Sequence, residues 1–254
     1  MQQKLLFLLQ FDGYPIFFLY ICGGKHINLI MIVNTLHISF SPLLSLEEVP
    51  LFRGAVLNAL SEDTDVLFHN HIDNNFRYDY PLVQYKSIGA KASILLIGDG
   101  VEMINKLMPI CNTYINIGHR HTMMKVEKVT PMQTEIELNK PQRYRVEQWL
   151  PLNEENDSRF LRTQSDSERF ELLEHILVGN ILSMAKGLDI HFDNQVECEI
   201  QRLDRYHREK VKDALMKSFD VDFLCNVNLP ELIGIGKHAS IGYGTIKSLS
   251  KNEN

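Results

Sequence analysis

His69 and His71 stand two residues apart, and Tyr78 follows seven residues after the second. Two apart on an extended chain means the same face, whereas the same spacing on a helix would turn the imidazoles away from each other. If residues 67–71 are extended, the two rings lie side by side. Asp73, Asn74 and Asn75 then read as a turn that folds Tyr78 back toward them. Two imidazoles and a phenol near one point can give and take protons near neutral pH without a carboxylate or a metal. The rival chemistry is metal ligation, since His-x-His is a common ligand pair and His119-x-His121 is a second one. Neither pair has a Glu or Cys at ligand spacing, so no metal and no cofactor is expected.

A second feature lies near the far end of the chain. Gly234-Ile235-Gly236-Lys237-His238-Ala239-Ser240-Ile241-Gly242-Tyr243-Gly244 is a glycine-rich loop carrying a Lys-His pair. Glycines let backbone amides approach a phosphate, and Lys237 and His238 add positive charge. Glu231 stands where a Walker loop needs its first glycine, and only fifteen residues follow Ala239, too few for a dinucleotide-binding unit. A phosphodiester backbone is the better partner for this loop.

Together these features resemble the Cas-six family of endoribonucleases, which cut CRISPR repeat RNA. The family's G-h-G-(x)5-G-aromatic-G loop (h apolar) is matched by Gly234 to Gly244. The stretches Leu51-Phe52-Arg53-Gly54-Ala55-Val56, His69-x-His71, Tyr78 and Tyr80-Pro81-Leu82-Val83-Gln84-Tyr85-Lys86 are similar to the branch associated with type I-B systems. The resemblance covers roughly residues 32–248. It implies a metal-independent endoribonuclease that makes guide RNAs by 2′-hydroxyl attack on the adjacent phosphate. It also implies that His69, His71 and Tyr78 are catalytic, with His71 aligned with the family's main catalytic histidine. Arg53, His119, Arg120, His121, Gly234, Gly236, Lys237, His238, Gly242, Tyr243 and Gly244 are the expected RNA contacts. The expected partners are CRISPR repeat RNA, a CRISPR effector complex and a second copy of the chain. The alternative functions are a repeat-RNA binder of the same fold that does not cut, and a His-ligated metal-dependent enzyme.

The elements that must position these groups follow from periodicity. Residues 33–40 alternate as a strand, and an apolar stripe of Phe52, Val56, Leu57 and Leu60 follows Pro50 as a helix. Ser45-Leu46-Glu47-Glu48 resembles a capping box ahead of it. Strands are expected at 81–88 and 92–97, a helix at 99–108 and a strand at 114–117, which would complete a ferredoxin-like β-α-β-β-α-β unit. Residues 122–129 and 133–138 read as a hairpin turning at Thr130-Pro131, and residues 153–157 as a polar loop and domain joint. The longest helix spans 165–186 with Phe170, Leu173, Ile176, Leu177 and Ile181 on its apolar face and Gly187 as its cap. Strands at 195–203, 214–226 and 245–248 make a second, degenerate ferredoxin-like half. The fold class is thus α+β, with tandem ferredoxin-like (RRM-like) domains over residues 31–120 and 121–254. Residues 1–30, whose two apolar runs are broken at Asp12-Gly13 and Pro15, read as a non-structural extension from an early start codon, with no membrane span.

Composition sets one tension. The formal net charge is −6, and −7 without residues 1–30, so RNA must meet a local basic stripe on an acidic body. His119, Arg120 and His121 with Lys125 and Lys128 form one candidate stripe, and Arg202, Arg205, Arg208, Lys210 and Lys212 another. Cys22, Cys111, Cys198 and Cys225 form no C-x-x-C pair and read as free thiols of a cytoplasmic protein.

Overall fold

A computed structural model describes residues 6–11, 14–19, 31–60, 71–72, 75–76, 80–204, 206–211 and 214–249. Met1–Ile30 and Met31–Asn254 are separate compact units. In the first, β1 (Leu6–Phe11) and β2 (Tyr14–Leu19) pair antiparallel, so the expected non-structural extension contains a hairpin.

The second unit opens with β3 (Met31–Leu43) and α1 (Val49–Ala59). The Ser45 N–H donates to Glu48 Oε2 at 3.0 Å, one half of the expected capping box, and Pro50 occupies the first turn, where its missing N–H costs nothing. Two short strands follow, β4 (His71–Ile72) and β5 (Asn75–Phe76), paired antiparallel. Next come β6 (Val83–Ile88), β7 (Lys91–Ile97) and a helical stretch of two 3₁₀ turns around α2 (Ile104–Leu107). A hairpin of β8 (Tyr114–Ile117) and β9 (Arg120–Met123) leads into β10 (Val126–Ile136).

The first sheet has the order β10-β3-β7-β6, with every neighbour antiparallel. This is the fourth-first-third-second order of a ferredoxin-like unit, but its fourth strand is β10. Among the described residues Tyr114–Ile117 pairs only with β9, in a two-stranded ribbon. The hairpin expected at Thr130-Pro131 is also corrected, because β10 runs straight through both residues, with Pro131 opposite Leu36. A proline is tolerated there because β10 is an edge strand, and the side lacking an N–H need not pair. Alternation along β3 sends Ile38 and Phe40 onto α1, where Phe52 sits edge-on to Phe40 at 6.3 Å and to Tyr85 at 5.8 Å.

The second half is built from β11 (Leu138–Trp149), α3 (Glu154–Arg162), α4 (Asp166–Gly187), β12 (Cys198–Leu203), β13 (His207–Val211), β14 (Ala214–Val227) and β15 (Thr245–Ser248). Its sheet order is β12-β14-β11-β15, the same topology, with β13 folded back on β14. The glycine-rich loop occupies the position of the second helix between β14 and β15, which is why this half reads as degenerate. The expected polar loop at 153–157 is instead the start of α3. Asn153 caps it by accepting from the Asn156 N–H at 2.7 Å, and Glu154, Glu155 and Asp157 favour its N-terminus. Leu173, Leu177, Ile181 and Met184 of α4 are fully buried against Val146, Trp149, Phe219, Val221 and Phe223. The same cluster takes in Val33, Leu95 and Ile97, so the core of the second half continues onto the first sheet. Gly187 is the last residue of α4 rather than its cap. A Cβ there would fall 2.1 Å from the Cβ of Tyr80, so glycine is needed for close approach. Among the described residues no helix is long and apolar enough to cross a membrane.

Candidate nucleic-acid interface and active site

The loop at 234–244 is held by the strand that precedes it by some 150 residues in sequence. Three hydrogen bonds close a ring between them. The Gly234 N–H donates to Gln84 Oε1 at 2.8 Å, Gln84 Nε2 donates to the Tyr80 hydroxyl at 2.9 Å, and that hydroxyl donates to the Gly234 carbonyl at 2.6 Å. Every group in the ring is both donor and acceptor, so none is left unsatisfied by burial. Burial also pushes the Tyr80 phenol up, keeping its proton available for the third bond.

Two residues further along the strand, Lys86 is fully buried and donates to Thr245 Oγ1 at 3.1 Å. Thr245 passes the link on to the Gly242 carbonyl at 3.2 Å. Burial alone pulls the Lys86 pKa down to about 7. The stretch from Tyr80 to Lys86 therefore clamps both ends of the glycine loop. Neither Gln84 nor Lys86 stands out in the sequence as a site residue, and nothing local marks either as buried.

Inside the loop several amides are spent on the fold. Ile235 N–H bonds to Gly244 O at 2.9 Å, and Gly244 N–H bonds to Gln148 O at 3.2 Å. A Cβ on Gly244 would fall 1.9 Å from the Ile235 carbonyl oxygen, and φ is +65° there, so only glycine fits. The amides of Gly234 and Gly244 are thus spent on anchoring the loop to Gln84 and Gln148. Tyr243 is 3% exposed, packed with Ile241 into the first half's core, and its phenol is pushed up to about 12 by burial. It is a packing residue between the halves, and a base cannot stack on it. Lys237 is exposed and donates to the Leu152 carbonyl at 2.9 Å; partial burial lowers its pKa. His238, with a left-handed backbone, sets its ring edge-on to Tyr243 at 6.2 Å. Gly236 is half-buried and faces the fold: at its φ of +77° a Cβ would fall 2.7 Å from Asn180 Oδ1 and 3.0 Å from Trp149 Nε1.

Three of the other expected contacts, His119, Arg120 and His121, lie on the β8–β9 hairpin, and all three are exposed. His119 is at its tip. Arg120 donates to Glu48 Oε1 at 2.6 Å and to the Leu43 carbonyl at 3.2 Å, pinning the tip to the start of α1. His121 Nδ1 lies 2.8 Å from Asn116 Oδ1, and its ring stacks on Tyr114 at 4.9 Å and 12°. Arg53 is half-buried on α1, and its charge opposes the rise that burial imposes on the Tyr85 phenol.

Of the catalytic candidates, His71 begins β4 and stands opposite Phe76 of β5. This gives His71 the extended backbone inferred from its spacing. Its side chain, together with His69 and Tyr78, lies outside the described residues. Among the described residues no three His, Cys, Asp or Glu side chains gather as metal ligands.

Comparison with known families decides what this arrangement belongs to. The model of the Cas6b N-terminal domain matches residues 31–135, and that of the Cas6b C-terminal domain matches residues 136–249. The chain belongs to the Cas6b family. The two Cas6b models meet at the end of β10, the strand that completes the first sheet. A crystal structure of a Cas6b is 27% identical and superposes with a TM-score of 0.79, covering 86% of this chain and 100% of that one. A second, of a CRISPR RNA processing endoribonuclease Cas6b, is 24% identical with a TM-score of 0.67 over the same shares and supports the Cas6b fold. An uncharacterized protein of Methanocaldococcus jannaschii, MJ0978, is 37% identical over 98 residues. That match spans 39% of this chain and 65% of the relative.

Proposed function

We propose that this Cas6b chain is an endoribonuclease that cuts CRISPR repeat RNA in precursor transcripts, using the RNA's own 2′-hydroxyl as nucleophile and no metal. The observation that carries the reading is the match of both Cas6b domains to a chain whose first domain holds His69-x-His71 and Tyr78. One structural relative is itself named a CRISPR RNA processing endoribonuclease, which agrees with this reading.

The reaction needs a base for the 2′-hydroxyl, an acid for the departing 5′-oxygen and donors for the charged phosphorane. His69 and His71 divide the first two tasks, and Tyr78 donates to the phosphate. Substrate is held through Lys237 and His238 of the glycine loop, with Gly236 letting the chain turn behind them, and through His119, Arg120 and His121 on the hairpin. The buried Gly234, Gly242, Tyr243 and Gly244 shape the loop that presents them.

The test is cleavage of the cognate repeat in EDTA. The products should carry a 2′,3′-cyclic phosphate and a 5′-hydroxyl, and a deoxynucleotide just upstream of the scissile phosphate should block the cut. His71→Ala should lower the single-turnover rate by about 10²–10⁴ while leaving affinity within a few-fold. Products with a 5′-phosphate, or loss of cleavage on chelation, would transfer the reaction to a metal-dependent mechanism.

A further inference from the structure

Cys198 and Cys225 lie 27 positions apart in sequence and become direct neighbours in the second sheet, as Cα partners across β12 and β14. Their kind of pairing can be read from the bonds on either side. Asn226 N–H bonds to the Glu197 carbonyl at 3.2 Å, so Glu197 and Asn226 form a hydrogen-bonded pair. Pair types alternate along an antiparallel ladder, which makes Cys198–Cys225 a non-hydrogen-bonded pair. Ile200, two residues further along β12, agrees: its N–H points away from β14 and donates to Glu174 Oε1 at 2.8 Å. Non-hydrogen-bonded partners have Cα atoms about 4.5 Å apart, with their side chains on one face and close together. A disulfide needs Cα atoms about 4.4–6.8 Å apart. Both residues are thiols here, one half-buried and one fully buried.

We propose that Cys198 and Cys225 form a dithiol that small-molecule disulfides oxidise to a cross-strand disulfide, bonding the edge strand β12 to the central strand β14. The half-buried Cys198 is the entry point. The contact with Cys225 and burial hold the Cys198 thiol well above the ordinary thiol range, so its thiolate is scarce at neutral pH and the first step runs in mild alkali. That thiolate attacks one sulfur of the reagent and expels a thiolate, leaving a mixed disulfide on Cys198. The Cys225 thiolate then attacks the Cys198 sulfur and expels the second thiolate. The two protons lost by the protein end on the two released thiols, so one protein dithiol and one reagent disulfide become one protein disulfide and two small thiols. One contact favours the second step: the Val227 N–H lies 3.4 Å from the Cys225 sulfur and stabilises its thiolate against the opposing effect of burial, and it remains once Cys198 carries the mixed disulfide.

The experiment is treatment of the full chain with oxidised glutathione, followed by intact mass, peptide mapping and thermal melting. Cys111, also a half-buried thiol, reports whether the reagent reaches such positions. The expected result is loss of two hydrogens in mass, a peptide link between Cys198 and Cys225, and a Tm higher by roughly 5–10 °C, reversed by dithiothreitol. Cys198→Ser should abolish the link and the Tm shift. A glutathione adduct that persists on Cys198 while Cys225 stays a free thiol would overturn the proposal. So would an unmodified Cys198 in protein whose Cys111 has reacted. Repeat-RNA cleavage is a separate measurement, and its outcome does not bear on this one.

Discussion

Lys86→Met probes the clamp on the glycine loop, and its effect on stability should reverse with pH. Lys86 is fully buried, its amine bonded to Thr245 Oγ1 at 3.1 Å, and its pKa drops from the ordinary 10.5 to about 7 through burial. A drop of that size corresponds to at most about 5 kcal/mol against the folded state when lysine is charged in both states. Below the folded pKa both states are charged, and the folded protein bears the whole penalty. Between about 7 and 10.5 the folded lysine is neutral while the unfolded one is still charged. The unfolded state then binds more protons, so stability rises with pH by up to about 1.4 kcal/mol per pH unit. Above the unfolded pKa the penalty is gone. Methionine fills a similar apolar channel without the charge but gives up the hydrogen bond to Thr245, worth about 1–3 kcal/mol. The variant should therefore be more stable than the parent by roughly 1–3 kcal/mol near neutral or slightly acid pH, and less stable by about 1 kcal/mol near the unfolded lysine's pKa. Urea unfolding of parent and variant across that range measures the difference, which cancels the pH response of every other group. A difference that does not vary with pH would refute the reasoning. So would a variant that is several kcal/mol less stable in mild acid, because the ammonium would then be well compensated in the fold.

Three other outcomes are expected. Gly244→Ala, which forces a Cβ to 1.9 Å from the Ile235 carbonyl at a φ of +65°, should leave little soluble folded protein, measured by yield and circular dichroism. Repeat-RNA affinity should fall steeply with salt despite the net charge of −6, and Lys237→Ala should flatten the slope of log affinity against log salt by roughly one unit. A chain opening at Met31 should match the whole chain in melting temperature and repeat cleavage, because residues 1–30 form a unit of their own.

Legibility in the sequence follows the range of the forces. The helix from Asp166 is visible from its apolar spacing, and β14 and β15 from their composition, because these patterns are local. No turn forms at Thr130-Pro131, because proline punctuates a chain only where its neighbours need its N–H, and an edge strand does not. The polar run at 153–157 has the composition of a loop, yet Asn153 ahead of three acidic residues is a helix-start signal that outweighs it. The glycine loop is recognisable from its spacing, but the use of its amides is not. Spacing shows that glycine is needed and leaves open whether a phosphate or the Ile235 carbonyl requires it. Lys86 has the pattern of an ordinary surface lysine on an alternating strand. Its buried amine finds its partner in Thr245, 159 positions away, which no local pattern reports.

The ring formed by Tyr80, Gln84 and Gly234 bears on how such proteins can be recombined. Two of its members belong to the first Cas6b domain and one to the second. A chimera joining the N-terminal domain of one relative to the C-terminal domain of another would keep each sheet whole. It would still lose its loop geometry unless the incoming first domain brought a tyrosine and a glutamine with the same spacing. In this chain the seam between the two domains is a handful of hydrogen bonds, and each half carries part of the set that the other needs.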